Sequence, residues 1–465
     1  MTLAELIPSL RTSLPAHLSG QVWPSMAHRD DHGEISVGEV HLGELAEEFG
    51  TPTYVLDEAD VRQRCREYAT AFGPGNVVYA AKALTCRGLL RWIAEEGLSL
   101  GVHSAGQLAT AAAVGFPADR IVLQGDAKSP IDLTAALEYG VGTIVIESSS
   151  EIPRLAALLT RRQRVLLRVL PDWDTGRVDT MSMLPAAPVT DRFGVPAAGT
   201  SLDEMVRRIT DQPMLELVGL DFFLGSQTSR FGGYERAISH LVATMAALAQ
   251  RHGTQLSEIN IGGGHAVPGT DTDGQFALEA FASRARKVLR VACDEHNLPV
   301  PRLGVAPGRA IVARAGVALY RVLAVRRDPD GHQLVAVDGG LSDNPRPALY
   351  GARYTAVLLG RLSRAQEQRT TVVGRHDESG DVLVQDAPLP GDLRAGDLLA
   401  IPCSGAYQLS LASNYNLVPR PPLVAVNAGR AQVLVRGETV EDVLARDLDP
   451  AAPPAVATAG PTGGR

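Results

Sequence analysis

Asn76-Val77-Val78-Tyr79-Ala80-Ala81-Lys82-Ala83 is an apolar, partly β-branched run with a lysine at its carboxyl end, the pattern of a strand buried on both faces. Two readings of Lys82 follow. A lysine at a strand end commonly snorkels to solvent. At the end of a barrel strand it can instead lose its proton by desolvation, and the free amine can then form a Schiff base with an aldehyde.

The surrounding pattern bears on that choice. Apolar, β-rich segments at 98–104, 121–126, 142–148, 164–170, 217–225, 258–264 and 302–308 alternate with amphipathic helical stretches at 88–96, 105–113, 130–139, 234–252 and 275–297. With the Lys82 strand this makes eight βα units over about 250 residues, which predicts a (β/α)8 TIM barrel with its active site at the carboxyl ends of the strands. Lys82, His103, Asp126, Arg168, Phe223, Ser226, Gly262, Gly263, Gly264 and Arg309 all fall at or just past such an end. Beyond Gly308 the rhythm changes to short alternating runs at 317–325, 333–338, 371–373, 381–385, 398–401, 423–426 and 431–436, the signature of a C-terminal all-β domain. The expected organisation is a lead-in over 1–50 packing on the β domain, a barrel over 51–310, the β domain over 311–449 and a disordered Pro/Ala/Gly tail over 450–465. Within the lead-in, 34–42 reads as a strand and 42–48 as the start of a helix.

Composition narrows the class of activity. The chain has 465 residues, 45% hydrophobic, and a formal net charge of −8 with both signs interspersed. That is enough for a large core, and it offers neither a basic stripe for nucleic acid nor a polybasic segment for a membrane surface. The first twenty residues lack a basic region followed by an apolar core, and no run reaches the roughly twenty apolar residues of a membrane helix, so a cytoplasmic location is expected. Cys65, Cys86, Cys293 and Cys403 are scattered without CxxC spacing, which suggests neither a disulfide framework nor a metal site.

Three segments are suited to an anion. Ile261-Gly262-Gly263-Gly264 follows a strand, and its three glycines let the backbone approach an anion closely and point its amides at it. Gly225-Ser226-Gln227 offers a hydroxyl, and Ala306-Pro307-Gly308-Arg309 sets an arginine beyond the eighth strand, near where TIM barrels commonly bind phosphate. Joined to a strand-end lysine, they favour pyridoxal 5'-phosphate, an aldehyde carrying a phosphate.

From about residue 35 to 448 the sequence resembles the fold-type III pyridoxal-phosphate decarboxylases, whose barrel is alanine-racemase-like, on the diaminopimelate decarboxylase branch. The resemblance rests on Tyr79-Ala80-Ala81-Lys82-Ala83, Ile261 to Gly264, Asp338-Gly339-Gly340, Arg346-Pro347-Ala348-Leu349-Tyr350-Gly351, Ser404-Gly405-Ala406-Tyr407 and Ala412-Ser413-Asn414-Tyr415-Asn416. It implies that Lys82 carries the cofactor, that Ser226, Gly262, Gly263, Gly264, Arg309 and Tyr407 hold it, and that Arg346, Tyr350 and Glu378 contact an amino-acid substrate. It also implies a homodimer with shared active sites.

Several positions depart from the family pattern. Ala306 stands where a glutamate pairs with the pyridine nitrogen. Asp221-Phe222-Phe223-Leu224-Gly225-Ser226-Gln227 replaces an HxHxGSQ segment, so Phe223 takes the ring-stacking place. Asp377-Glu378-Ser379 replaces Cys-Glu-Ser, which makes Asp377 the candidate acid on the reacting carbon. Gly101, Gln107 and Asp126-Ala127 also differ. A carboxylate beside the ring nitrogen would raise its pKa and strengthen the electron sink, and Ala306 removes that effect. The expectation is therefore a decarboxylase-like enzyme acting on an amino acid or amino-acyl compound other than diaminopimelate, in a specialised pathway. The alternatives are racemase or epimerase chemistry, or a catalytically silent cofactor-binding or cofactor-free protein.

Overall fold

The computed structural model describes residues 18–170, 194–197 and 200–448. The expected tail over 450–465 and the first part of the lead-in, 1–17, lie outside them. Eight parallel strands follow one another in chain order: β1 (Val78–Ala80), β2 (Ser99–Val102), β3 (Ile121–Leu123), β4 (Thr143–Ile146), β5 (Gln163–Leu170), β6 (Leu215–Asp221), β7 (Glu258–Asn260) and β8 (Arg302–Gly304). The sheet closes on itself where Val77 bridges Val305 in parallel and the Val78 amide donates to the Val305 carbonyl at 2.9 Å. Helices such as Arg87–Glu95, Ala105–Ala112, Pro130–Tyr139, Phe231–His252 and Leu278–His296 lie between the strands, so the barrel is the one that the periodicity predicts.

Strand alternation divides the apolar side chains between two cores. Ile144, Ile146, Val165 and Leu167 face outward and join the main core beneath the helices, while Val145, Leu166 and Val218 form a separate cluster. Helix starts are set locally: Ser104 accepts from the Gln107 amide, and Ser129 forms a capping box with Asp132, satisfying amides that the helix leaves orphaned.

The strands end earlier than the apolar runs do. β2 stops at Val102, β6 at Asp221, β7 at Asn260 and β8 at Gly304, and Lys82 sits in a single 3-10 turn, Ala81–Ala83, just past β1. His103, Phe223, the glycine run and Arg309 are therefore on post-strand segments, because ladder pairing ends before apolarity does.

The C-terminal sheet is built from β9 (Gly316–Arg327), β10 (Gln333–Val337), β11 (Val357–Leu359), β12 (Glu367–Val373), β13 (Val382–Pro390), β14 (Leu398–Pro402), β15 (Leu423–Asn427) and β16 (Arg430–Val435). Thr53–Asp57 corrects the expectation that the barrel begins at residue 51. This fully buried strand pairs antiparallel with β9 and parallel with β15, so it belongs to the β domain. Ahead of it, three short strands, His28–Arg29, Ile35–Val37 and Val40–His41, precede the helix Leu42–Phe49. Arg29 Nη2 donates to the Leu358 carbonyl at 3.2 Å, and the Gly429 amide to the Gly38 carbonyl at 2.9 Å, tying the lead-in to the β domain. No helix among the described residues is long and apolar enough to cross a membrane.

Candidate active site

Lys82 lies at the carboxyl mouth of the barrel, with Nζ 5.4 Å from the centroid of the Phe223 ring. Its side chain is solvent-accessible but ringed by protein. Desolvation first, then Arg168 and Arg309, hold its ammonium below the usual lysine range, with Glu147 opposing them. This is the direction that favours a free amine. The β domain reaches the lysine's turn directly: the Tyr407 amide and the Ser410 hydroxyl both donate to the Ala83 carbonyl, at 2.8 and 3.0 Å.

Beyond β6 and β8, Arg309 Nη2 donates to Ser226 Oγ at 3.5 Å, and the guanidinium lies 4.8 Å from the Tyr407 ring centroid. Among the described residues no carboxylate pairs with Arg309, and burial followed by the neighbouring Arg346 lowers its proton affinity. Arg346 is itself 8% exposed, donates from Nη1 to the Tyr354 hydroxyl at 2.6 Å, and leaves Nε without a partner. Two neighbouring cations, Arg346 buried and Arg309 partly so, with no ion-paired acid among the described residues, are costly unless an anion joins them. A phosphate on Arg309 and Ser226, with an anionic substrate group on Arg346, meets that need, so these residues fit pyridoxal phosphate.

The glycine run acts chiefly through close approach. Gly262 and Gly264 have φ of +73° and +81°, and a β-carbon on Gly263 would stand 2.1 Å from the Ala306 carbonyl oxygen. Side chains at these positions would force apart the loops after β6, β7 and β8. The expectation that all three amides face an anion is corrected at Gly262, whose N–H donates to Asn260 Oδ1 at 2.8 Å.

The fold thus gathers Lys82, Phe223, Ser226, Gly262, Gly263, Gly264, Arg309, Arg346 and Tyr407 around the mouth. Tyr350 is 48% exposed and electrostatically close to Tyr407. Asp377 and Glu378 are exposed on the turn between β12 and β13, and Asp377 has φ of +49°. None of the hydrogen bonds of Glu378 reaches the mouth of its own chain. The turn is anchored from beneath by His376, whose Nε2 lies 2.8 Å from Ser342 Oγ and whose amide donates to Asp381.

One acid that the sequence reading passed over stands in the mouth: Glu147, which bonds Arg168 Nη1 at 2.9 Å while Asp221 takes Arg168 Nε at 2.5 Å. The available signal was an ionisable residue closing an otherwise apolar strand run, as Lys82 does. His103 is pushed down to about 3 by burial, then by Lys82 and Arg168, and so is a neutral imidazole at physiological pH.

Residues 58–313 match the family model described as pyridoxal-dependent decarboxylase, pyridoxal binding domain. The diaminopimelate decarboxylase of Actinosynnema pretiosum subsp. auranticum is 49% identical over 448 residues, covering 96% of this chain and 100% of that protein. The diaminopimelate decarboxylase of Mycobacterium tuberculosis is 40% identical over 445 residues, covering 93% and 99%. Among solved structures, a diaminopimelate decarboxylase from M. jannaschi aligns with a TM-score of 0.84 at 25% identity, over 92% of this chain and 99% of that one. A diaminopimelate decarboxylase from Helicobacter pylori complexed with L-lysine aligns with a TM-score of 0.77 at 27% identity, over 87% and 98%.

Proposed function

Because this chain belongs to the pyridoxal-dependent decarboxylases, as a carboxy-lyase of the diaminopimelate decarboxylase type using pyridoxal 5'-phosphate, we propose that it decarboxylates an amino acid or amino-acyl compound other than meso-diaminopimelate. It does so as a cytoplasmic homodimer in a specialised pathway. The observation that carries this reading is a contrast among the residues around Lys82. Arg309 and Arg346 have no carboxylate partner among the described residues, whereas Phe223 faces the amine and the segment after β8 carries the uncharged Ala306.

When bound, the cofactor supplies an aldehyde for the lysine and a conjugated ring that takes up the electron pair left as carbon dioxide departs. Lys82 would hold that aldehyde and carry protons at Nζ. Arg309 and Ser226 would grip the phosphate, with the Tyr407 ring packed on Arg309. Arg346 and Tyr350 orient the substrate. Phe223 offers a flat apolar face but can neither donate a hydrogen bond nor carry charge. Asp377 and Glu378, exposed in the isolated chain, reach the second protomer's site, where Asp377 delivers a proton to the reacting carbon and Glu378 reads the far end of the substrate.

A second reading, diaminopimelate itself as substrate, is favoured by the 49% identity running the length of the chain and by retention of Arg346, Tyr350 and Glu378. Carbon dioxide release from meso-diaminopimelate separates the two. Losing one preorganised electrostatic contribution slows turnover roughly a hundred- to a thousandfold. The natural protein is therefore expected to be slow, and an Ala306→Glu, Phe223→His, Asp377→Cys triple variant to gain rate. Efficient turnover by the natural protein assigns diaminopimelate as the substrate.

A further inference from the structure

One buried network at the barrel mouth takes no part in holding phosphate or substrate. β6 lies beside β5 with Asp221 in register with Arg168, and Ile146 at the end of β4 is in register with Leu167. Parallel neighbours in register point the same way, so Glu147, Arg168 and Asp221 project together into the mouth, one layer above the cluster of Val145, Leu166 and Val218. Glu147 and Asp221 side chains are 1% exposed, and each gives one oxygen to Arg168, at 2.9 and 2.5 Å. Their other oxygens, Glu147 Oε2 and Asp221 Oδ1, have no partner among the described residues.

The remaining charges around Lys82 are accounted for differently. Lys128, past β3, is committed to Glu151 at 2.7 Å and to two carbonyls. His103 is neutral, with Asp126 close enough to act on it. Arg309 belongs to the phosphate side. Burial opposes the charge of Arg168, but Asp221 and Glu147 outweigh it and raise its proton affinity; burial pushes the Asp221 carboxyl up while Arg168 pulls it back. Arginine does not release its proton, so Arg168 stays a cation between the two carboxyls.

We propose that Arg168, clamped by Glu147 and Asp221, is the positioning residue that keeps Lys82 an unprotonated amine, and that Asp221 sets how strongly it does so. The inference rests on the reading of Lys82 as the cofactor lysine. Capture joins the Lys82 nitrogen to the aldehyde carbon and releases the aldehyde oxygen as water with the amine's two protons. It therefore needs the nitrogen lone pair and stops when Nζ is protonated. Removing the cation should make that protonation easier, and removing one of the anions should make it harder.

The test strips the cofactor, adds pyridoxal phosphate and follows growth of the yellow band of the lysine-linked form against pH. Relative to the natural protein, Arg168→Gln is expected to move the midpoint of capture up by about one pH unit and Asp221→Asn to move it down by about one. Asp221→Glu should restore it. A merely structural role would impair both variants in the same sense. Shifts of the same sign in folded variants, or none, overturn the proposal. If Arg168→Gln does not fold, the Asp221→Asn and Asp221→Glu pair carries the test. A natural protein that forms no band overturns instead the cofactor reading beneath it.

Discussion

At the amino-terminal end of the barrel, Arg164 and Arg302 share the two oxygens of Glu258, and Arg120 donates to the Leu98 and Ala94 carbonyls, around a cavity of about 340 Å³. At the carboxyl end, Arg309 and Arg346 lie beside tyrosines, and among the described residues neither is ion-paired with a carboxylate. At the first end Arg164 and Arg302 are paired with an acid of their own chain, and Arg120 with its carbonyls. The second holds positive charge that its own fold does not satisfy. Compensation of charge, rather than volume, separates a structural arginine from one waiting for a ligand, since an unpaired buried ion persists only where something else recovers its desolvation cost.

The largest effect concerns the lysine between these cations and the Glu147–Arg168–Asp221 network. Lys82→Ala should bring activity to background, and borohydride reduction followed by peptide mapping should place the pyridoxyl adduct on Lys82 of the natural protein. An adduct elsewhere breaks the assignment of the carboxyl end as the site. Mixing Lys82→Ala with Asp377→Ala, each inactive alone, should regain activity if sites are shared between protomers. A stable monomer at working concentration contradicts the sharing.

A smaller effect sets the two ends directly against each other. Arg309→Met should weaken cofactor binding by about 2 kcal/mol or more, roughly thirtyfold in the dissociation constant, because it removes one partner of a desolvated charge pair. Arg302→Met should leave cofactor affinity unchanged. Its pair with Glu258 is 45% exposed on the arginine side, so its loss should cost no more than about 1 kcal/mol in a denaturant titration. Equal loss of affinity in both variants would erase the distinction between the ends.

The last effect, on stability and not on cofactor binding, lies behind the glycine loop. His265 is stacked between Tyr68 and Phe276, bonds the Tyr68 hydroxyl at 2.8 Å, and is pushed down to about 3 by burial, then by Arg64. An unfolded histidine titrates near 6.5, so between those values the unfolded chain binds the extra proton and stability falls as pH falls. The contribution is up to about 1.4 kcal/mol per pH unit over that window. His265→Gln should flatten the acid limb of stability against pH, and an unchanged limb would assign the acid sensitivity to other groups such as His103.

The strand rhythm, the lysine and the anion-type segments were legible because each is carried by neighbours in the chain: alternation fills both faces of a buried strand, and glycines mark backbone that must come close. Local pattern could not say where pairing stops, which is why the apolar runs overran β2, β6, β7 and β8. Nor could it place Thr53–Asp57, whose buried, strand-like sequence suits either sheet; pairing with Gly316–Arg327 and Leu423–Asn427 assigned it to the β domain. Arg168 and Asp221 were visible singly, but their ion pair with Glu147 exists only because register sets three strands side by side. Residue order is enough to set which chemical groups this protein carries and the barrel that presents them. Which charges cancel one another is set by folding, because charge compensation depends on distance across the barrel and not on separation along the chain.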